Sequence, residues 1–214
     1  MIVHPPQALG QEQVPLLLVD AAHPAPAALV AAAAGQPFAA DAGDFYPGQR
    51  ARVPADYASW LQGVLRAALG RPGLVVQRCT FATATCDPAT LSPVQRIPHF
   101  DAADPDLVAV VHYLCAAPHA GTLFFRHRAS GFERITAARQ SAWRAALVAD
   151  GARHGMPPLA YVDGDTPAFT LIGCAPLAFN RLAVYPANCL HAGAIGASWR
   201  APAPGRLTIT ALAR

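Results

Sequence analysis

With 53% hydrophobic and only 14% charged side chains over 214 residues, the chain excludes general disorder and can bury a sizeable core as one domain, residues 1–214. Its 16 basic residues are all Arg and lie scattered against 13 acidic ones, so the net charge of +3 leaves no nucleic-acid footprint. The longest apolar stretch, residues 26–35, falls well short of the ~20 residues that a membrane span needs. No basic segment followed by an apolar one opens the chain, so no signal peptide is expected. The five Cys (79, 86, 115, 174 and 189) are odd in number and form no C-x-x-C pair. Reduced thiols and a cytoplasmic location follow as expectations. The lack of Lys and the wealth of Ala, Gly and Pro look like the product of a GC-rich bacterial genome.

In chain order, residues 14–20 read as a strand and Ala-rich residues 27–34 as a helix stopped by Gly35. Phe45-Tyr46-Pro47-Gly48 reads as a turn. Pro54 then opens a clearer helix over residues 55–69, whose apolar stripe is Tyr57, Trp60, Leu61, Val64, Leu65 and Ala68. From residue 74 the period changes. Strands are predicted over 74–85, 107–115, 121–127, 169–174, 177–185 and 206–212, with a helix over 133–150 buried through Trp143, Ala146 and Leu147. Many short strands and few helices predict an α+β, mainly β, sandwich or barrel with helices against one side.

The chemistry concentrates in Arg96-Ile97-Pro98-His99-Phe100-Asp101. Pro98 drives the preceding residue toward extended backbone, and in an extended chain side chains two apart point the same way. His99 and Asp101 can therefore aim at one point, as two thirds of a 2-His-1-carboxylate set, or form a plain hydrogen-bonded pair on a strand. Tyr185-Pro186-Ala187-Asn188-Cys189-Leu190-His191 offers a third ligand at the end of an apolar run. On the last strand, Arg206, Thr208 and Thr210 alternate with Leu207, Ile209 and Ala211. Covered on its apolar face by helices, that strand would turn Arg206 into an internal cavity, where a carboxylate-bearing ligand would satisfy it. The other reading is an Arg at the strand mouth, solvated or paired with an Asp. Tyr113 can donate to the same anion or simply be core. Leu123 and Phe125 share one parity and are expected to form an apolar wall of the pocket, with His127 on the same side facing substrate.

Together these pieces resemble the Fe(II)- and 2-oxoglutarate-dependent dioxygenases, in particular their prolyl-hydroxylase-like branch. The order of motifs carries the resemblance over about residues 75–212: His99-Phe100-Asp101, then His112-Tyr113-Leu114, Gly121-Thr122-Leu123, Leu190-His191 and Arg206-Leu207-Thr208-Ile209-Thr210. Two departures stand out. Arg206 lies further behind the distal His than the family's Arg commonly does; Arg200 is nearer, but precedes the loop-like Ala-Pro-Ala-Pro-Gly within an expected loop over 193–205. Ala120 replaces the first Gly of a Gly-Gly pair.

The resemblance implies a double-stranded β-helix (jelly roll, cupin-like) core over 74–214, with helical support over 1–73 and one helical insertion. It implies Fe(II) on His99, Asp101 and His191, and 2-oxoglutarate on Arg206, Tyr113, Thr208 and Leu123. Phe125 and His127 would face the substrate. O2 is then consumed, succinate and CO2 are released, and a small molecule or an amino-acid or peptide substrate is hydroxylated. The presence of Asp101 argues against halogenation. A non-catalytic jelly-roll binding protein and a zinc-dependent hydrolase are the competing expectations.

Overall fold

The structure is a computed structural model that describes residues 1–41, 45–201 and 205–214. Residues 202–204 of the expected 193–205 loop lie outside the described ones. Eleven strands are described: β1 (Ile2–Val3), β2 (Gln7–Leu9), β3 (Val14–Asp20), β4 (Gly48–Arg52), β5 (Val76–Ala84), β6 (Val108–Tyr113), β7 (Thr122–His127), β8 (Phe169–Ala175), β9 (Arg181–Pro186), β10 (His191–Gly193) and β11 (Leu207–Ala213). Three α-helices, α1 (Pro26–Ala34), α2 (Tyr57–Leu69) and α3 (Gln140–His154), complete the frame. The class is α+β, mainly β, as the patterning predicts.

The strands form two antiparallel sheets. The larger runs β1-β3-β9-β6-β11-β5-β4, with β2 beside β3; the smaller runs β10-β7-β8. Alternation decides what each face of the larger sheet meets. Leu182 and Val184 of β9 join Leu207, Ile209 and Ala211 of β11 beneath α1 and α2, where Tyr57, Leu61 and Leu65 are buried. Each large apolar side chain sealed there contributes roughly 1.5–3 kcal/mol. On the opposite face, Val111, Tyr113, Ala183 and Tyr185 pack against Phe124 of β7 and Ala175 of β8, so the two sheets stack face to face. Helix α3 covers the outside of the smaller sheet, with Trp143 against Phe125, Phe169 and Leu190.

Three elements depart from the sequence reading. Residues 48–52, directly after the turn expected over 45–48, pair with β5 as an edge strand that the sequence reading did not assign; their Gly-Gln-Arg-Ala-Arg composition hides the alternation. The segment before residue 73 is thus not only helical support, since β1 to β4 extend the larger sheet. Helix α3 begins at Gln140, not at residue 133. Glu133 is withheld from it: its backbone carbonyl accepts the Leu190 N–H (2.8 Å), and Ile135 N–H donates to Asn188 O (2.7 Å). The Glu133 carboxylate, wholly buried, receives the N–H groups of Gln11 (2.9 Å) and Glu12 (2.8 Å). Gly10 (φ +64°) makes that cradle possible, because a Cβ there would fall 2.3 Å from the carboxylate oxygen.

Candidate metal centre and its cavity

Ile97 is extended (φ −124°, ψ 160°), as the residue before Pro98 must be, and delivers His99 to the edge of β10. There His99 and His191 exchange both backbone hydrogen bonds, His99 N–H to His191 O (2.9 Å) and His191 N–H to His99 O (2.8 Å). They are directly opposed cross-strand neighbours, and their ring centroids lie 4.4 Å apart. Asp101 is fixed by its N–H to Ala187 O (2.8 Å), four residues before His191.

One donor atom from each of His99, Asp101 and His191 falls within 4.8 Å of the other two. Asp101 lies between the imidazoles, 3.9 Å from His99 Nε2 and 3.7 Å from His191 Nε2. Adjacent donors around a cation bonded at about 2.1 Å sit roughly 3 Å apart, so the carboxylate oxygens stand within about 1 Å of that spacing from both imidazoles. His191 Nδ1–H donates to Cys189 O (3.0 Å), which fixes the tautomer and leaves Nε2 bare as a ligand atom. The His191 side chain is only 7% exposed and that of His99 is 54%, so one side of the cluster faces outward. Two imidazoles and one carboxylate on a common side, with the remaining positions open, fit Fe(II), and the same donors also suit Zn2+.

The cluster opens into a cavity of about 430 Å³ between the sheets, within the size range of small-molecule sites. Its lining includes Tyr185, Gly193, Arg206 and Thr208 together with Tyr46, Arg50, Ile97 and Tyr161. Arg206 is 4% exposed. It donates from Nε to Ala120 O (2.9 Å) and from Nη2 to Gly121 O (2.7 Å), and no described carboxylate pairs with it. Its Nη1 lies beside Gly193, two residues along β10 from His191, which is roughly 7 Å of strand. Gly121 is required where it stands, since a Cβ would sit 1.9 Å from Ala175 O. Thr208 lines the same wall, 1% exposed, and donates from Oγ1 to Ala82 O (3.2 Å). Arg200 sits elsewhere, over the Trp199 ring (4.7 Å) beside a second cavity.

The remaining expected site residues fall outside the cavity wall. Tyr113 faces inward, but its hydroxyl is engaged by Thr122 Oγ1 (2.8 Å) and its ring carries the Arg206 guanidinium at 5.8 Å, so it backs Arg206 from behind. Leu123, Phe125 and His127 point to the opposite face of β7, toward α3, because Thr122 and Phe124 take the inner one. Phe125 is core beside Trp143, and Leu123 borders the second cavity. His127 is fully buried, bridging Asp150 of α3 (2.5 Å) and Ser130 (2.8 Å). That makes it a structural pin between helix and sheet.

Sequence reasoning passed over Tyr185. Its ring lies 4.8 Å from that of His191 and meets Phe124 edge-on at 5.0 Å. Burial, then the Asp101 carboxylate nearby, pushes the phenol well above its ordinary pKa, so it stays a donor. The available signal was parity: Tyr185 alternates inward with the small Ala183 and Ala187 while Leu182 and Val184 face the helices.

Among the described residues, no helix is long and apolar enough to cross a membrane. All five cysteines are free, with Cys115 and Cys189 buried. No curated protein and no solved structure matches the chain. A family model, described as a family of unknown function (DUF6445), matches residues 3–213, and the chain belongs to that family.

Proposed function

We propose that this chain is an Fe(II)- and 2-oxoglutarate-dependent oxygenase on a double-stranded β-helix core, hydroxylating a small molecule or an amino-acid or peptide substrate. One observation carries the reading: a His-Asp-His cluster and a buried guanidinium with no described carboxylate partner share one cavity. A buried positive charge is costly unless it meets an anion, and a zinc hydrolase would have no use for one at that depth. A five-carbon diacid, chelated at one end and paired with Arg206 at the other, suits the span of two strand residues between them.

His99, Asp101 and His191 would hold the metal, and Arg206 with Thr208 the far carboxylate. When bound, iron and 2-oxoglutarate would supply, with O2 as the oxidant and one oxygen atom going to each product, oxidative decarboxylation to succinate and CO2 coupled to hydroxylation of a C–H bond. The chain's own contribution is geometry and dryness. The Cys189 carbonyl sets the His191 tautomer, the cross-strand pair fixes the spacing of the two imidazoles, and the stacked sheets exclude water from the guanidinium.

The test is anaerobic addition of Fe(II) and then 2-oxoglutarate. A weak visible charge-transfer band that appears with both, and that Asp101→Ala abolishes, is the expected result. Metal binding indifferent to 2-oxoglutarate, or hydrolysis supported by Zn2+, overturns the reading.

A further inference from the structure

Among the described residues, the cavity wall holds a polar tip to which no hydrogen bond from the protein is drawn, the Tyr185 hydroxyl. Tyr57, Tyr113 and Tyr161 spend their buried hydroxyls on His112, Thr122 and the Cys86 carbonyl. Tyr185 is equally buried, 3% exposed, and lines the cavity, yet its hydroxyl makes no hydrogen bond to any described residue. The ring is buried while the hydroxyl is left to the cavity, where it is available to whatever polar group the cavity takes in. The ring is held by two neighbours, Phe124 meeting it edge-on and the His191 ring 4.8 Å away.

Its position along the cavity selects the partner. Arg206 stands beside Gly193, two residues beyond the ligand His191, whereas Tyr185 packs on His191 itself. Its hydroxyl thus belongs to the end of the cavity that holds the cluster. It is a donor only while protonated, so the group it meets must offer a lone pair, and a carboxylate oxygen is the strongest acceptor of that kind.

We infer that Tyr185 Oη donates a hydrogen bond to the carboxylate at the chelating, 2-oxo acid end of the ligand, leaving the far carboxylate to Arg206. The inference rests on the oxygenase reading, and it makes Tyr185 a ligand-positioning residue that touches the cosubstrate and leaves the metal alone.

Two probes separate the ends: 2-oxoglutarate, and 2-oxobutyrate, which keeps the chelating end and lacks the second carboxylate. Each is titrated anaerobically into the full-length Fe(II)-loaded chain, with Fe(II) affinity measured separately. Tyr185→Phe, which preserves the packing on Phe124, should weaken both probes by the same factor, roughly tenfold or more. Arg206→Gln should weaken only 2-oxoglutarate, and Fe(II) affinity should hold in both variants. A Tyr185→Phe loss confined to 2-oxoglutarate would move the hydroxyl to the far carboxylate and overturn the inference. Unchanged affinity for both probes overturns it too, while leaving the oxygenase reading standing. A wild-type chain that takes up Fe(II) but neither 2-oxo acid sinks that reading and this inference together.

Discussion

Replacing Arg206 by Gln tests the cavity's anion-binding end most directly. Two of the guanidinium's N–H groups are already committed to Ala120 O and Gly121 O, so the ligand can draw only on those that remain, chiefly at Nη1. A hydrogen bond to a charged group is worth about 1.5–3 kcal/mol, and the pair here is desolvated but not fully bidentate from fresh donors. The expected loss is about 2–3 kcal/mol, or roughly 30- to 150-fold in 2-oxoglutarate affinity. Titration of the charge-transfer band, or calorimetry under argon, reads it. Fe(II) affinity should stay within about twofold, since Arg206 touches none of the three ligand residues. An unchanged 2-oxoglutarate affinity in a folded variant would refute the reasoning and leave the buried charge to the two carbonyls alone.

Other perturbations probe the frame. Asp101→Ala removes the only carboxylate of the cluster and should abolish stoichiometric Fe(II) binding in equilibrium dialysis, with little change in far-UV dichroism. Gly10→Ala drives a methyl into the Glu133 carboxylate at a positive φ and should lower the urea unfolding free energy by about 2–4 kcal/mol. His112 predicts a pH dependence. Asn180 Oδ1 already accepts His23 N–H, so His112 Nε2–H donates to it and Nδ1 accepts from the Tyr57 hydroxyl, a neutral ring. Burial holds its pKa down at about 4, against 6.5 when unfolded. Between those values the unfolded chain binds the extra proton, so stability should fall as pH drops from 6.5 to 4, by up to about 3 kcal/mol. Urea titrations across that range should show the slope, and His112→Leu should flatten it; an identical slope in the variant would reassign it.

Whether a residue's place was legible depended on how different the two faces of its strand were. From Arg206 into β11 one face reads Arg206-Thr208-Thr210 and the other Leu207-Ile209-Ala211, so alternation alone says which side meets the helices, and the structure agrees. On β7 both faces are apolar, because α3 covers the outside as fully as the larger sheet covers the inside. Parity then groups Leu123, Phe125 and His127 correctly but is silent on which way the group points. The His99-x-Asp101 pair was readable from Pro98, whose restriction of Ile97 is local. The Glu133 cradle was not, since it depends on Gly10, Gln11 and Glu12 more than 120 residues away. Tyr113 shows a third limit: its inward direction could be read, while the commitment of its hydroxyl to Thr122 is a matter of neighbours across the sheets.

The two imidazoles of the cluster hang from one hydrogen-bonded rung between the 97–101 segment and the rim of the smaller sheet, backed by Ile97 and Phe100 packed on that sheet's apolar cluster. A cation seated there would be a second staple across the same seam. Prising the segment loose would separate its donors, and seating the ion would hold the seam shut. Loading and edge closure are therefore a single linked equilibrium, and the thermal midpoint should climb with free metal by the mass-action law for a ligand that only the zipped form can hold.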